Sequence, residues 1–412
     1  MRSGGGSGGG AAVASGVVEF KHPLWWHAPI WSGSGYGSEA NSYLLALLRS
    51  GRVRPEDVWV SNHGQYALQD VMEGMDPADR EELQRAEARP QQPGARNRSA
   101  IVVCHSVPAN YATPWAQLRR GEVCPPNRTA HPWSYLVART MWEASRVSHE
   151  FARRCNTMDE VWVTSAWQVE GFKASGIDDR RLVVVPEAVN TTLFDPASHP
   201  PLRDLESRAV RVFGAAWADK AAAARGRGVR RPFRFVSTFE WTERKGWDVL
   251  LEAYLSEFSR DDDVELMLRT RPWGKDGGDR DVELPGFYAL GDAFVLPTRG
   301  EGWGRPLTEA MSMGLPVIAT NWSGLTAFFD AAVGYPLAMQ GLTRTPDPDT
   351  RIQWAQPSVP HLRQLMRAAA GDRAGAAARG AAARSRMVAR YSPSAIAEDL
   401  IRHWRRIDDA LG

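Results

Sequence analysis

The chain has 412 residues, of which 43% are hydrophobic, and this length favours two globular domains over one. Its 50 basic and 48 acidic residues leave a net charge of +2, so charge gives no argument for nucleic acid as a partner. The three cysteines have no CxxC spacing, which argues against a disulfide framework or a zinc site and fits a reducing compartment, the cytoplasm or the cytosolic face of a membrane. No apolar run reaches ~18 residues, so we expect no transmembrane segment.

The first half of the chain alternates short apolar runs with helical patterns. Residues 1–16 are glycine-rich and lack the apolar region of a signal peptide, so we expect a flexible tail. The next domain is expected over residues 17–200. Its predicted strands cover residues 24–29, 57–64, 100–106, 158–165 and 181–189, and its predicted helices cover 133–155, 166–175 and the stretch that ends at Gly51. Strands that are apolar on both faces and separated by helices indicate an α/β domain with a parallel sheet.

The second half repeats this alternation. Residues 201–231 are rich in proline, arginine and alanine, and we expect them to form a linker. In the following domain, expected over residues 232–390, the predicted strands cover 233–239, 264–270, 293–298 and 315–320, and helices are predicted at 246–258, near 323–330 and from about 358. A last amphipathic helix is expected within residues 391–412, after Ser392. Two doubly wound domains enclose a cleft at the carboxyl ends of their strands.

One segment, PTRGEGWGRPLTEAMSMGLPVIAT (297–320), predicts a strand end, a glycine-rich loop and a helix that begins at Pro306 and ends at Gly314. The N-terminus of a helix exposes backbone N–H groups and a partial positive charge, which suit a diphosphate. Glu309 in the helix can accept hydrogen bonds from ribose hydroxyls, and Glu301 in the loop can reach a sugar ring. The segment therefore predicts a nucleotide-sugar site, although for either glutamate alone a helix-dipole or solvent-exposed role is the common alternative.

The stretch EGWGRPLTE resembles the signature of glycosyltransferase family 4, which is a glutamate, seven residues and a second glutamate. Further stretches resemble the family: LWWHAPIWSGSGYGSEA, ARTMWEASR with CNTMDEVWVTSAWQVEGFKASGI, VVVPEAVNTTLFDP and ERKGWDVLLEAYLSEF. The resemblance covers most of residues 20–330. It implies a GT-B fold, in which two facing Rossmann-like domains are followed by a C-terminal helix that crosses back to the first. It also implies transfer of a sugar from a nucleoside diphosphate sugar with retention, without a metal or another cofactor.

The same resemblance assigns roles to three side chains as catalytic candidates. Glu301 is expected to contact the donor sugar, and Lys245 is expected to stabilise the diphosphate as it leaves. His105, at the end of a predicted strand, matches a histidine that lies near the acceptor and the donor sugar, with a structural role as its alternative. Glu309 is expected to bind the ribose.

Backbone groups are expected to complete the donor site. By resemblance, the sugar pocket is lined by Gly302, Trp303 and Gly304, and amides for the diphosphate come from Pro306, Leu307 and Thr308. The glycine loop of the first domain, with Gly33, Gly35 and Gly37, is expected to face the phosphates.

The chain departs from the family at two places. Many relatives have a basic residue five positions before the lysine, where this chain has Glu240, so Arg244 becomes the candidate for the second cation at the diphosphate. Between residues 270 and 293 we expect one strand and one helix fewer than in relatives, which implies a shortened nucleotide-binding domain. Glu143 is expected to pair with Arg139 or Arg146 on its own predicted helix.

Three functions remain open from the sequence. The first is an active retaining hexosyltransferase that acts on an unknown acceptor, which is a glycan, a lipid, a protein or a small molecule. The second is a non-catalytic relative that binds a sugar or a partner protein through the same cleft. The third is a sugar-nucleotide epimerase, which the two glutamates disfavour. An incomplete gene model of an active enzyme would also explain the missing strand.

Overall fold

The first half of the chain folds around one parallel sheet of six strands. The structure, a computed structural model, describes residues 16–65, 67–111, 124–128, 131–202, 209–210, 212, 231–271 and 283–412. The six strands are β1 (Leu24–Ala28), β2 (Val58–Asn62), β3 (Ala100–His105), β4 (Trp133–Arg139), β5 (Glu160–Val163) and β6 (Leu182–Val184). They pair in the order β2-β1-β3-β4-β5-β6. The helices of this unit are α1 (Gly35–Arg49), α2 (Gln69–Gly74), α3 (Pro77–Ala88), α4 (His149–Cys155) and α5 (Ala166–Lys173).

One predicted helix of this unit is wrong. The prediction placed residues 133–155 in a single helix, whereas Trp133–Arg139 is β4 and only His149–Cys155 is helical. The run WSYLVAR is rich in aromatic and branched side chains, and it pairs with β3 on one side and β5 on the other. Glu143 therefore lies in the loop after a strand, and its expected pairing along a helix does not exist.

The second half of the chain forms a second parallel sheet. Its strands are β7 (Phe233–Glu240), β8 (Val264–Arg271), β9 (Ala293–Leu296), β10 (Val317–Thr320) and β11 (Gly334–Leu337), in the order β11-β10-β9-β7-β8. The helices are α6 (Trp247–Glu257), α7 (Leu284–Tyr288), α8 (Arg305–Ser312), α9 (Val359–Gly371), α10 (Arg373–Arg390) and α11 (Pro393–Leu411). An antiparallel hairpin of β12 (Met339–Arg344) and β13 (Gln353–Pro357) was not predicted.

The two sheets each reverse their strand order at one point, and these points face each other. In the first sheet the reversal lies between β1 and β3, and in the second it lies between β7 and β9. Loops that leave the carboxyl ends of the two central strands diverge there and leave a crevice. The loops after β7 and β9 are the segments that hold Lys245 and Glu301, so strand order alone brings these two residues together.

The last helix, α11, packs on the first unit, as predicted. The Trp404 Nε1–H donates to the carbonyl of His22 at 2.9 Å, and the Asp408 carboxylate accepts the backbone N–H of His22 at 2.8 Å. Arg406 forms an ion pair of 2.7 Å with Glu160 of β5. The chain therefore returns from the second sheet and covers the first.

The expectation about cysteines is wrong. Cys104 of β3 and Cys124 form a disulfide with their Cα atoms 5.6 Å apart, and Cys155 is a buried thiol. The two half-cystines are 20 residues apart, and they meet because Tyr111 and Cys124 form a β-bridge beside β3. Disulfides persist mainly in oxidising compartments, so the cysteines no longer support a cytoplasmic location.

Three sequence predictions fall outside the described residues. They concern the first 15 residues of the glycine-rich tail and most of the expected linker over 201–231. They also concern residues 272–282, which are part of the segment between 270 and 293 where a strand was expected to be missing. Within the described part of the chain, no helix is long and apolar enough to span a bilayer.

Candidate functional site

A cleft of about 1900 Å³ lies between the two units. The first unit lines it with the loop between β1 and α1, and the second unit lines it with the loops that follow β7 and β9. A volume of this size exceeds the 300–1,000 Å³ typical of pockets for one small ligand, so the cleft has room for a large ligand or for more than one. Glu301, Glu309, Lys245 and Arg244 all reach its wall.

The Glu301 carboxylate is the centre of a compact ionic cluster. Its Oε1 lies 2.7 Å from Lys245 Nζ and accepts a hydrogen bond of 3.0 Å from the Thr298 hydroxyl. Its Oε2 lies 3.2 Å from Arg244 Nη1. The backbone N–H of Glu301 donates to Ser323 Oγ, which fixes the loop from behind. The site thus holds one carboxylate between two cations in a preorganised geometry.

The two cations of this cluster keep the Glu301 carboxylate ionised. Burial alone would raise the pKa of Glu301, but Lys245 and Arg244 outweigh it and hold that pKa below its usual value. Burial lowers the pKa of Lys245, and Arg244 adds to this, while Glu301 opposes both. The Glu301 side chain is therefore an ionised hydrogen-bond acceptor at neutral pH, which suits contact with sugar hydroxyls.

Glu309 lies in α8, the helix that follows the loop of Glu301. Its Oε2 accepts a hydrogen bond of 3.0 Å from Tyr288 of α7, a residue that the sequence analysis did not single out. Tyr288 is fully buried, and Glu309 is 9% exposed at the cleft wall. The hydrogen bond from Tyr288 thus fixes the orientation of a carboxylate at the cleft wall.

The glycine loop before α8 is packed against the first unit. The Gly302 carbonyl accepts hydrogen bonds from Thr164 Oγ1 at 2.6 Å and from Gln168 Nε2 at 3.1 Å. A Cβ on Gly302 would lie 2.5 Å from the sulfur of Met141, and Gly304 has a positive φ of 103°. Trp303 places its ring in the core, where it is 1% exposed. Residues 302–304 of this loop can therefore approach a ligand only through their backbone.

The amides predicted for the diphosphate are used differently. Pro306 has no N–H, and the N–H groups of Leu307 and Thr308 donate to the Gly304 carbonyl at 2.9 and 3.2 Å. These bonds close the first turn of α8, as in any helix that begins with a glycine cap. Binding of a diphosphate by the amides of Leu307 and Thr308 stays a prediction, and Pro306 has no N–H group with which to take part in it.

The glycine loop of the first unit faces the cleft with two of its three glycines. Gly33 and Gly35 line the cleft and are exposed. Gly37 is buried in the first turn of α1, where a Cβ would lie 2.5 Å from the carbonyls of Pro29 and Ser32. Gly37 is thus needed for the tight turn rather than for contact with a ligand.

His105 lies in a buried network below the cleft. The Trp26 Nε1–H donates to His105 Nδ1 at 2.9 Å, so the ring proton lies on Nε2, which faces Glu39 Oε2 at 2.9 Å. Burial lowers the pKa of His105 despite the nearby carboxylate of Glu39. The ring is fully buried and both nitrogens are bonded, so the structure contradicts a direct catalytic contact and favours the structural alternative.

The network around Glu39 extends to the edge of the cleft. Arg139 donates to Glu39 through Nε at 2.8 Å and to the Val185 carbonyl through Nη1 at 2.8 Å. The Tyr43 hydroxyl donates to the Pro186 carbonyl at 2.7 Å. Arg139 is therefore the buried partner of Glu39 and not of Glu143, and the network holds the segment that follows β6.

Two acidic residues flank Arg244. Glu143 Oε1 lies 3.6 Å from Arg244 Nη2, and Glu240 lines the same cleft at the end of β7. Arg244 also donates to the Gly300 carbonyl at 2.7 Å. Position 240, where many members of the resembled family have a basic residue, thus carries a carboxylate at the cleft wall. In the described part of the chain, no group of His, Cys, Asp and Glu is placed to hold a metal ion.

Parts of the chain resemble known proteins in sequence. Residues 230–338, which contain Lys245, Glu301 and Glu309, match the family described as glycosyl transferases group 1. A stretch of 45 residues is 47% identical to O-antigen chain mannosyltransferase B of Escherichia coli. That match covers 11% of this chain and 12% of the mannosyltransferase, so it spans a small part of the curated relative.

Solved structures resemble the whole chain. The Anabaena protein HepE, in complex with UDP and glucose, has a TM-score of 0.58 and 12% identity, and the match covers 93% of this chain and 100% of HepE. Sucrose-phosphate synthase of Thermosynechococcus elongatus has a TM-score of 0.58 and 15% identity, with 94% and 100% covered. Identities this low establish the fold alone. The fold is GT-B, with two Rossmann-like units and a C-terminal helix that returns to the first, as predicted.

Proposed function

We propose that the protein is a retaining glycosyltransferase that moves a hexosyl group from a nucleoside diphosphate sugar to an acceptor. The observation that carries the proposal is the meeting of Glu301, Glu309 and Lys245 on one wall of the cleft between two GT-B units. The match of residues 230–338 to group 1 glycosyl transferases supports it, as does the structural likeness to a protein solved with UDP and glucose.

The residues at the site divide the work of such a reaction. As the bond from the sugar to the diphosphate breaks, negative charge grows on the leaving group, and Lys245 lies where a fixed cation stabilises it. The ionised Glu301 accepts hydrogen bonds from the transferred sugar and keeps Lys245 in place through their 2.7 Å contact. Glu309 binds the ribose and so sets the position of the diphosphate. Protein cations supply the charge, so the proposed reaction needs no metal.

Turnover with sugar donors tests this proposal. Wild type is incubated with UDP-, GDP- and ADP-hexoses, with and without EDTA, and release of the nucleoside diphosphate is followed, with water as the default acceptor. We expect wild type to release the nucleoside diphosphate from donors with one of the three bases, and we expect EDTA not to change this release. Glu301→Gln should lose the release, since the amide no longer offers a charged acceptor. The anomeric configuration of the product, from NMR, reports retention.

Two outcomes would count against this function. Tight binding of a donor without turnover in wild type would favour a non-catalytic sugar-binding relative. Calorimetry that detects no binding of any donor would remove the proposed function altogether. Glu150→Gln, at an exposed carboxylate of α4 that does not line the cleft, controls for loss of a carboxylate in general.

Replacing Glu309 by alanine is expected to weaken nucleoside diphosphate binding by about 1.5–3 kcal/mol, or roughly 10- to 150-fold in Kd. The ribose hydroxyls lose a charged acceptor, and Tyr288 loses its partner. Titration calorimetry with the preferred nucleotide measures the effect. Glu252→Ala, an exposed carboxylate in α6 of the same unit, is the matched control and should leave Kd unchanged. Equal effects in the two variants would place the ribose elsewhere.

A further inference from the structure

Arg299 lies behind the wall of the cleft, in the loop after β9 and two residues before Glu301. Its side chain is 5% exposed and does not line the cleft, so it is not among the groups that face a ligand. Its Nη1 and Nη2 donate to the two carboxylate oxygens of Asp248, in the first turn of α6, at 2.8 and 2.7 Å. A bidentate contact fixes the plane of the guanidinium. The Arg299 side chain therefore ties the loop that carries Glu301 to the start of α6.

The same residue also binds the turn that carries Lys245. This turn, Glu243–Lys245, is a single 3-10 turn between β7 and α6, and we call it the lysine turn. The Arg299 Nη1 donates to the Glu243 carbonyl at 2.6 Å. The Arg299 backbone N–H donates to the Arg244 carbonyl at 2.7 Å. Side chain and backbone of Arg299 thus hold two consecutive carbonyls of the lysine turn.

The residue after the lysine turn shows how closely the two loops pack. Gly246 has a φ of 69°, in the left-handed region that favours glycine. A Cβ at this position would clash with the carbonyl of Pro297, the residue that follows β9. The lysine turn is therefore seated directly against the loop after β9, and Arg299 supplies two of the hydrogen bonds between them.

The lysine turn needs such a support because it brings two cations to one carboxylate. Arg244 and Lys245 are neighbours in sequence, and they lie 3.2 and 2.7 Å from the oxygens of Glu301. Like charges at this separation repel each other. The Glu301 carboxylate opposes the repulsion, but a diphosphate in the cleft would compete with it for the same cations. The bonds from Arg299 go to backbone carbonyls and to Asp248, so they do not depend on Glu301 or on a ligand.

We propose that Arg299 is a positioning residue, which holds the ammonium of Lys245 where the diphosphate leaves the sugar. The inference rests on the proposed function. Asp248 keeps the guanidinium in place from the side of α6, and the guanidinium holds the Glu243 carbonyl of the lysine turn. Without these bonds the turn is free to shift, and the charge of Lys245 is present but no longer preorganised.

A double-mutant cycle on kcat tests whether Arg299 acts through Lys245. Arg299→Met keeps the apolar stem of the side chain and removes its hydrogen-bond donors. It is expected to lower kcat about tenfold or more when Lys245 is present, with a smaller effect on the KM of the donor. In Lys245→Met the same change should lower kcat less than about threefold, because the group that it positions is already absent. A role in stability alone would lower kcat by the same factor in both backgrounds.

Asp248→Asn gives a second route to the same answer. It removes the charge that orients Arg299 and leaves the guanidinium in the chain. Its loss of kcat should be smaller than that of Arg299→Met, and it should again disappear in Lys245→Met. Arg299→Lys keeps the charge but not the bidentate contact, so its kcat should fall between those of wild type and Arg299→Met.

Arg231→Met is the matched control. Arg231 forms a bidentate contact with Asp292, with both bonds at 2.7 Å, in the same unit and away from the cleft. Its loss should leave kcat unchanged. Thermal unfolding establishes that each variant is folded, and if Arg299→Met does not fold, the cycle with Asp248→Asn decides.

Two results are decisive against the inference. Equal losses of kcat with and without Lys245, or a kcat of Arg299→Met within about threefold of wild type, overturn the role of Arg299 and leave the proposed function standing. Wild type that turns over none of the UDP-, GDP- and ADP-hexoses overturns the proposed function, and the inference with it.

Discussion

Replacing Lys245 by methionine is expected to lower turnover by about 100-fold or more, because a preorganised charge donor supplies about 2.7–4 kcal/mol of transition-state stabilisation. The Lys245 side chain is 11% exposed and contacts Glu301 at 2.7 Å, so water cannot replace its charge. The change also leaves the buried Glu301 carboxylate with one cation fewer. Both effects act on the step in which the sugar leaves the diphosphate.

The kinetic pattern separates this role from simple binding. In Lys245→Met, kcat should fall more than the affinity for the donor, since the charge on the diphosphate is largest in the transition state. Lys173→Met is the matched control: Lys173 forms an ion pair with Asp179 and is 53% exposed. If the kcat values of Lys245→Met and Lys173→Met both stay within threefold of the wild-type value, Lys245 does not stabilise the leaving group.

Replacing Glu39 by glutamine is expected to lower the free energy of unfolding of the first unit by about 3–5 kcal/mol, because it leaves Arg139 buried without its partner. Both side chains are fully buried, and Glu39 also accepts from His105. Urea denaturation at pH 7 measures the change. Glu150→Gln removes an exposed carboxylate that pairs with Arg153, and it should change stability little.

The pH dependence of stability offers a second measure of the same network. Burial raises the pKa of Glu39, but Arg139 and His105 outweigh it and lower that pKa from 4.5 to about 2. A depressed folded-state pKa means that this contribution is complete above pH 4.5 and is lost as the pH falls from there toward 2. Wild type should therefore lose more stability than Glu39→Gln across this window. Parallel curves for the two proteins would show that Glu39 is not ionised in the fold.

Local patterns were enough to predict most strands of the two sheets, but not β4 or β11, and to predict the segment with the two glutamates. Strands such as β1 and β9 are short and apolar on both faces, and the turn signals around Pro306 and Gly314 are local as well. The contact of Lys245 with Glu301 was not predicted, although both residues were. It depends on strand order, since β7 and β9 are neighbours only in the folded sheet.

The errors have a common physical origin in distant partners. Arg139 and His105 were expected to act in a helix and at a substrate, but both are bonded to Glu39, which lies 100 and 66 residues away. The disulfide of Cys104 with Cys124 likewise depends on a β-bridge that no spacing rule describes. The run at 133–139 was assigned to a helix because its neighbours in the sheet, β3 and β5, are invisible in a local pattern.

The bonds from Thr164 and Gln168 to the Gly302 carbonyl make the position of the glycine loop before α8 depend on the distance between the two units. Beside them, the rings of Trp167 and Trp322 cross the same boundary, with their centroids 4.7 Å apart. A rotation of the units that breaks the two hydrogen bonds to Gly302 would therefore also separate the rings of Trp167 and Trp322. The chain has 17 tryptophans, so an emission change that accompanies opening and is absent from Trp167→Phe would report the separation of this pair.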